Sequence, residues 1–298
     1  MARRFVTLDV FTNTPLAGNP LAVVLDTDGL DGAAMQAIAG EFNLSETVFV
    51  LPPDDPRHRA RLRIFTPKAE LPFAGHPTVG TAVLLALEDA HADRADALAF
   101  GLEEAIGTIS CVVEAGEGRG QARFRMPVLP DFVGDGPRIE ALARALGLES
   151  RAIGFGLHAP SLHRLGQPFL FVPVASPEAL AEVRLDPVAL ARLGEPAALY
   201  LYTRDPDGPA RHFHARMFAP HLGVPEDPAT GSAAAAFAGV MMQFEPLGEG
   251  THDLVLHQGL TMGRPSEIRV QLGIDAGALQ AVEVCGSAVI VTEGRLRA

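Results

Sequence analysis

Three ionisable residues have positions that suit acid–base chemistry, and the first of them is Glu46. It follows Asn43-Leu44-Ser45 and precedes an apolar run that begins at Thr47. Burial disfavours a charged carboxylate, so a glutamate at the mouth of a core strand should have a pKa raised towards neutrality. A general base or acid that works at neutral pH needs such a pKa. From composition alone, a glutamate that ends a helix and points into water is the better interpretation.

The second candidate is His76, in the segment Gly75-His76-Pro77-Thr78. Proline suits the first turn of a helix, so the segment predicts a helix start. The positive end of the helix dipole lowers the pKa of an imidazole and can hold an anion or an enolate. A histidine with only a structural role at a helix start fits the sequence equally well.

The third candidate is Asp227, in the segment Asp227-Pro228-Ala229-Thr230-Gly231-Ser232. Aspartate before proline is a good helix cap, and capping alone would explain this residue. If the helix starts near His76 and Asp227 face each other across a cleft, however, their N-termini can hold a substrate carboxylate. They would also stabilise negative charge that develops during a reaction.

A duplication in the sequence indicates which elements position these residues. The pattern Arg-x-Phe-x-Pro begins at Arg63 and again at Arg216, an offset of 153, after which Gly80-Thr81-Ala82 is similar to Gly231-Ser232-Ala233 at an offset of 151. A second echo joins Gly18-Asn19-Pro20 to Gly166-Gln167-Pro168 at an offset of 148. Internal similarity in the same order indicates two similar lobes.

Each lobe contains one segment that is apolar on every side. The segments are a helix predicted over Thr78 to Leu87 and a second one after Gly231. A helix without a polar face is buried. We therefore predict an α+β fold of two pseudo-symmetric lobes, each a β-barrel-like, mostly antiparallel sheet around a central apolar helix.

The lobe boundaries follow from a region rich in proline and glycine, residues 126–137, which is predicted to be the connector. Residues 1–128 form the predicted N-terminal lobe, and residues 129–298 form the C-terminal lobe. The final apolar strand, residues 281–291, belongs to the second lobe by order and can cross to the first.

Composition excludes several classes of function. The net charge is −12, and the one basic cluster, residues 57–63, resembles the solvated face of a strand, so we expect no nucleic-acid partner. The longest apolar run, residues 233–242, is shorter than the roughly 20 residues that span a bilayer, so no membrane association is expected. Cys111 and Cys285 lie in apolar, β-branched runs, which predicts two buried thiols and fits a reducing cytoplasm.

His212 and His214 lie on one predicted strand and could form a metal-binding pair. The two imidazoles lie on one strand face, but no third ligand follows at a convincing spacing. We therefore interpret them as solvated histidines and expect no metal.

The motifs together resemble the phenazine-biosynthesis isomerase family, the PhzF-like proteins. The segments that carry the resemblance are Asp9-Val10-Phe11, Gly18-Asn19-Pro20, Ser45-Glu46-Thr47, Gly75-His76-Pro77-Thr78, Asp227-Pro228-Ala229-Thr230-Gly231-Ser232-Ala233 and Gly263-Arg264-Pro265-Ser266. The resemblance implies the fold of diaminopimelate epimerase, with the active site between the lobes. It also implies a homodimer without a cofactor that acts on a small-molecule carboxylate.

The activity that the resemblance implies is isomerisation of trans-2,3-dihydro-3-hydroxyanthranilate. Glu46 would take a proton from the ring carbon that bears the hydroxyl and return it at another ring carbon. His76 and Asp227 would hold or shuttle protons and orient the substrate. The polar groups of the substrate would be bound by the small residues beside them, Ser45, Gly75, Thr230, Gly231 and Ser232.

Two alternatives remain open at this stage. One is a racemase or epimerase of a small carboxylate that uses two bases. Its two-thiol form is disfavoured, because neither cysteine is near a predicted helix start. The other is a catalytically silent dimer that binds a metabolite.

Overall fold

The computed structural model describes residues 2–89, 97–194 and 197–298 of the chain. The strands within these ranges are β1 (Ala2–Val10), β2 (Asn19–Val24), β3 (Glu46–Leu51), β4 (Ala60–Phe65), β5 (Glu70–Leu71), β6 (Leu98–Glu104), β7 (Gly107–Gly116), β8 (Arg119–Arg125), β9 (Asp131–Asp135), β10 (Ser161–Leu165), β11 (Gln167–Pro173), β12 (Ala198–Arg204), β13 (His212–Ala219), β14 (Val224–Asp227), β15 (Gly250–Gln258), β16 (Ser266–Asp275) and β17 (Ala278–Arg297). The helices are α1 (Gly32–Phe42), α2 (Gly75–Asp89), α3 (Ile139–Leu146), α4 (Pro177–Glu182), α5 (Pro187–Leu190) and α6 (Gly231–Phe244).

The first half of the chain forms a closed barrel around α2. Its strands pair in the order β1-β2-β3-β4-β6-β7-β8-β17, and β17 pairs again with β1. Residues 75–86 of the enclosed helix are all buried, because the helix, apart from His76, presents apolar or small side chains in every direction. The prediction of a sheet around a central apolar helix is confirmed.

The second half repeats this arrangement around α6. The sheet runs β9-β10-β11-β12-β13-β15-β16-β17, and α6 packs against its inner face. Four consecutive alanines, residues 233–236, are fully buried and allow close approach of the strands. The fold is therefore α+β with two similar barrel-like units, and among the described residues no helix combines the length and apolar character needed to cross a bilayer.

The last strand joins the two units. β17 runs from Ala278 to Arg297, so it is longer at both ends than the predicted strand over 281–291. Its first part pairs with β16, its middle with β8, and its last part with β1. The predicted connector is also not free of structure, because β9 lies within it and pairs with β10. The division at residues 128 and 129 stays a prediction.

The two central helices meet at their N-termini. A Cβ atom added to Gly75 would lie 2.8 Å from the Cα and carbonyl carbon of Gly231, so glycine is required for this backbone contact. Both helices begin at these glycines, which shows that the predicted match of Gly80 to Gly231 was wrong. Glu70 forms an ion pair with Arg63, and Glu226 forms the corresponding ion pair with Arg216. These two glutamates are 156 residues apart in the sequence, as are Gly75 and Gly231. The second copy is thus longer after the arginine motif. The sequence match was misleading because Gly80-Thr81-Ala82 and Gly231-Ser232-Ala233 are similar runs of small residues.

Candidate active site

Glu46 is the first residue of β3, beside Leu21 of the neighbouring β2. Its side chain is 14% exposed, and its Oε2 atom lies 3.3 Å from Nδ1 of His76. That oxygen has no hydrogen-bond partner among the described residues. The interpretation of Glu46 as a solvated helix end is therefore excluded by the structure.

His76 is the second residue of α2, because this helix begins at Gly75, three residues before the predicted start at Thr78. Only 3% of its side chain is exposed, and burial lowers its pKa to about 3. The amide nitrogen Nδ2 of Asn19 approaches Nδ1 of His76 at 3.4 Å. The ring is therefore neutral at physiological pH, and a single proton can lie between Nδ1 of His76 and Oε2 of Glu46.

Asp227 is the last residue of β14 and does not cap α6. The N-cap position is Thr230, and no side chain of a described residue caps this helix end. The carboxylate of Asp227 instead accepts three hydrogen bonds, at Oδ1 from Nδ2 of Asn19 (2.9 Å) and Oγ of Ser45 (3.0 Å), and at Oδ2 from Oγ1 of Thr230 (2.5 Å). Because Asn19 and Ser45 come from the first half of the chain, the carboxylate of Asp227 joins the two halves.

The two buried carboxyl groups have different electrostatic environments. Burial raises the pKa of Asp227 to about 6, and its three hydrogen-bond donors oppose a larger rise. Burial raises the pKa of Glu46 well above its ordinary value, and the charge of Asp227 raises it further. Since hydrogen bonds to a carboxylate favour its charged form, Asp227 holds the negative charge and Glu46 holds the proton.

Gln258, at the end of β15, supports the loop between Asp227 and Thr230. Its Nε2 donates to the carbonyl oxygen of Asp227 (2.7 Å) and to Oγ1 of Thr230 (3.1 Å), and its Oε1 accepts from the backbone N–H of Thr230 (3.2 Å). Sequence reasoning gave no role to Gln258 or Asn19. The motif Gly18-Asn19-Pro20 was a usable signal for Asn19, whereas nothing in the sequence pointed to Gln258.

A cavity of about 300 Å³ lies against these groups. Most of its wall is apolar, and it comes from both halves of the chain: Glu46, Thr66, Leu71, Pro72, Phe73, Ala74, Ile106, Leu165, Gly166, Gln167, Met217, Ala219, Leu222, Val224, Asp227, Thr230 and Ser232. Gln167 is the second-half counterpart of Asn19 in the sequence echo, so both members of that echo lie at this site.

The other predicted site residues do not line this cavity. His76 lies behind Glu46, Ser45 bonds to Asp227, and Gly75 and Gly231 pack against each other. His76 and Asp227 also do not occupy equivalent positions in the two copies, since the helix starts align at an offset of 156. The site is therefore asymmetric, although the fold that surrounds it is repeated.

Neither cysteine belongs to this cavity. Cys111 is buried in β7, as predicted, but Cys285 of β17 is half-buried, so the prediction of two buried thiols was wrong for one of them. Burial raises the pKa of both thiols. A thiol is a poor base in that state, because the thiolate is the reactive form.

Comparison with known proteins decides the family. The family described as phenazine biosynthesis-like protein matches residues 8–294. The chain belongs to this family. Its membership confirms the resemblance inferred from the motifs, and the enzyme class of the phenazine biosynthesis-like proteins it matches is isomerase.

Among the family's curated relatives, an uncharacterised isomerase of Mesorhizobium japonicum is 47% identical, over 99% of this chain and 98% of the relative. The trans-2,3-dihydro-3-hydroxyanthranilate isomerase of Pseudomonas aeruginosa is 37% identical, over 98% of each chain. The crystal structure of a PhzF-family phenazine biosynthesis protein from Bacillus anthracis is similar with a TM-score of 0.88 at 26% identity, and the alignment covers 100% of both chains. This similarity confirms the predicted fold.

Proposed function

We propose that this chain is a cofactor-independent isomerase that moves a proton between two carbon atoms of a small cyclic carboxylate. The observation that carries the proposal is the position of Glu46, which lines the cavity, while its buried Oε2, on the side of His76, has no hydrogen-bond partner among the described residues. A carboxyl group with a raised pKa is matched to proton transfer at neutral pH, since it gains and loses a proton easily there.

In the proposed reaction, the carboxylate form of Glu46 takes a proton from the ring carbon that bears the hydroxyl. The electron pair of the broken C–H bond enters the conjugated system of the ring, and Glu46 then returns the proton at another ring carbon. No group is gained or lost, so the product is an isomer of the substrate.

The resting protein holds a proton on Glu46, and substrate binding must favour its release. A substrate ammonium group near Glu46 and Asp227 would do so, because a nearby positive charge stabilises a carboxylate. His76 accompanies this step as a neutral imidazole within reach of the Glu46 carboxyl group. It can therefore accept or donate a hydrogen bond as the charge on Glu46 changes.

The proposed binding site for the substrate carboxylate is the start of α6. Thr230 and Ser232 line the cavity, and the first turn of a helix presents free backbone N–H groups together with a partial positive charge. Phe73 and Met217 contribute to the apolar wall, which suits the face of a six-membered ring. Ser45, Gly75 and Gly231 would not touch the substrate. Ser45 positions Asp227 by a hydrogen bond, and the two glycines allow the helix starts to pack together.

The substrate we propose is trans-2,3-dihydro-3-hydroxyanthranilate or a close analogue. The support is the name of the Pseudomonas aeruginosa relative, which is 37% identical along nearly the whole chain. The amino group of this compound would lie near Glu46 and Asp227, and its carboxylate would lie at the start of α6. The ring C–H beside its hydroxyl would be the one that Glu46 deprotonates.

A two-base racemase or epimerase of a small carboxylate is the second candidate. The observation in its favour is that Glu46 and Asp227 both line the cavity and both have raised pKa values. The three donors on Asp227 count against it, because they lower the basicity of that carboxylate. A racemase would exchange a proton at a stereocentre without moving a double bond.

The test is proton NMR of trans-2,3-dihydro-3-hydroxyanthranilate in D₂O with the purified protein. We expect conversion by the wild type and by Glu41→Gln, an exposed control of the same chemistry. We expect no conversion by Glu46→Gln, although calorimetry should still detect ligand binding. Conversion by Glu46→Gln would overturn the role of the base. Exchange of a substrate proton without isomerisation would favour the racemase, and binding without any exchange in the wild type would favour a silent binder.

A further inference from the structure

Asp205, His212, His214 and His257 come together on the outer face of the second sheet, away from the cavity described above, and Glu267 of β16 is paired with His257. Atoms of Asp205, His212 and His257 that can bind a metal all lie within 4.8 Å of one another. His214 is adjacent, with Nε2 at 3.4 Å from Oδ2 of Asp205 and its ring centroid 5.7 Å from that of His257. The interpretation of His212 and His214 as solvated histidines therefore omits Asp205 and His257, which the fold brings next to them.

The backbone positions of this cluster are fixed by the sheet. His212 and His214 alternate with buried Phe213 on β13, so both point outwards. β13 pairs in parallel with β15, and this register places His214 directly opposite His257. The backbone N–H of Asp205 donates to the carbonyl oxygen of His212 (2.9 Å). This hydrogen bond closes the loop between β12 and β13 and places Asp205 beside His212.

Asp205 is oriented by its own turn. The backbone N–H groups of Asp207 and Gly208 donate to its Oδ1 at 3.0 and 3.2 Å. The other oxygen, Oδ2, is left on the side of the histidines, where His214 contacts it. A carboxylate that is anchored through one oxygen and offers the other has the arrangement of a metal ligand with a supporting shell.

We propose that Asp205, His212 and His257 bind a divalent transition-metal ion of the Zn²⁺ type. Two imidazoles and one carboxylate suit Zn²⁺, Fe²⁺ or Ni²⁺ and disfavour Mg²⁺ and Ca²⁺, which prefer oxygen ligands. Ligands about 2.1 Å from tetrahedral zinc are about 3.4 Å apart. The ligand atoms of the cluster lie within 4.8 Å of one another, so metal binding would draw them closer together. Water completes the coordination, and His214 hydrogen-bonds the ligating carboxylate.

The site has a structural role in this proposal and is separate from the isomerase chemistry. It would connect the β12–β13 turn to β15, whose last residue, Gln258, follows His257 and donates to the carbonyl oxygen of Asp227 on the opposite face of the sheet. Metal binding would therefore stabilise the sheet behind the cavity. The proposal does not depend on the identity of the substrate, and it can be tested without an activity assay.

The test is titration of the full chain, freed of metal with a chelator, with Zn²⁺ in competition with a chromophoric chelator. We expect one tight equivalent and a higher melting temperature in the presence of Zn²⁺. His212→Ala and His257→Ala should each weaken binding by at least about 10-fold, and His214→Ala by about 10-fold through loss of the supporting hydrogen bond. The matched control is His252→Ala, because His252 lies on β15, as His257 does, but bonds to the carbonyl oxygen of Gly248.

Folding of each variant is checked by circular dichroism, and Asp205→Asn provides a second route if a histidine variant fails to fold. It retains the shape of the turn but weakens the ligand, so Zn²⁺ affinity should again fall. Absence of a tight Zn²⁺ equivalent in the wild type would overturn the proposal. Equal loss of affinity in His252→Ala would also overturn it, since binding would then come from scattered surface histidines.

Discussion

Replacement of Glu104 by glutamine should stabilise the protein at alkaline pH. Glu104 ends β6, is buried, and accepts a hydrogen bond at Oε1 from Oγ1 of Thr78 (2.7 Å), in the first turns of α2. Its Oε2 has no hydrogen-bond partner among the described residues. Burial raises its pKa to about 8 from the ordinary 4.5. Glutamine retains the acceptor for Thr78 and resembles the protonated acid, but it never becomes charged.

The sign of the effect follows from proton binding. Between pH 4.5 and about 8, the folded chain holds a proton on Glu104 that the unfolded chain has released. The stability contributed by this group is therefore complete below pH 4.5 and is lost as the pH rises through 8. A pKa difference of about 3.5, at 1.36 kcal/mol for each pH unit, corresponds to a loss of about 5 kcal/mol.

Urea unfolding of the wild type and Glu104→Gln, measured from pH 5 to 8.5, checks this value. The difference in free energy of unfolding should move in favour of the variant by about 4 kcal/mol across that range. Glu46 and Asp227 are present in both proteins, so their contributions cancel in the difference. Glu41→Gln, at an exposed position, is the control and should show no such trend. A difference between wild type and Glu104→Gln that is independent of pH would show that Glu104 does not gain a proton on folding.

Three further predictions concern the groups around the cavity. His76 should show no NMR titration between pH 5 and 8, since burial lowers its pKa to about 3; a midpoint near 6.5 would contradict its placement. Asn19→Ala removes a hydrogen bond of 2.9 Å to the carboxylate of Asp227, which is worth about 1.5–3 kcal/mol. The value of kcat/KM should therefore fall by about 10-fold or more, while the circular dichroism spectrum is unchanged. An unaltered rate would show that Asn19 is not part of the site. Gly75→Ala forces two backbones apart and should reduce the free energy of unfolding in urea by about 1–3 kcal/mol. Gly248→Ala should not, because apart from its chain neighbours none of the described residues has an atom within 4 Å of the added Cβ. Equal effects would show that the contact between the two helix starts does not stabilise the fold.

Local patterns were enough to predict the central elements of the fold. The absence of a polar face on α2 and α6 predicted two buried helices, and the repeated arginine motif predicted two similar units. The same repeat misled where small residues resemble one another. Gly75 and Gly80 are both followed by apolar helical residues, but α2 begins at Gly75, whose backbone contacts Gly231, and Gly80 lies inside the helix.

The candidate site was predictable where a motif surrounds the functional residue. Glu46 and Asp227 both line the cavity, although Asp227 bonds to Asn19 of the first half instead of capping a helix. Their acid–base roles stay a prediction. Gln258 and His257 were not predictable, because parallel pairing of β13 and β15 brings distant segments together. Such long-range pairing leaves no trace in local periodicity.

The measurement that tests the account most directly is a ¹³C NMR titration of the Glu46 carboxyl group in protein labelled with ¹³C-glutamate. The resonance is assigned by its disappearance in Glu46→Gln. Burial and the charge of Asp227 place its pKa well above the ordinary 4.5, so Glu46 should still be protonated where the exposed glutamates are already ionised. A midpoint at or below 4.5 would mean that Glu46 is solvated or paired, and it would contradict the proposal that this residue is the base of an isomerase.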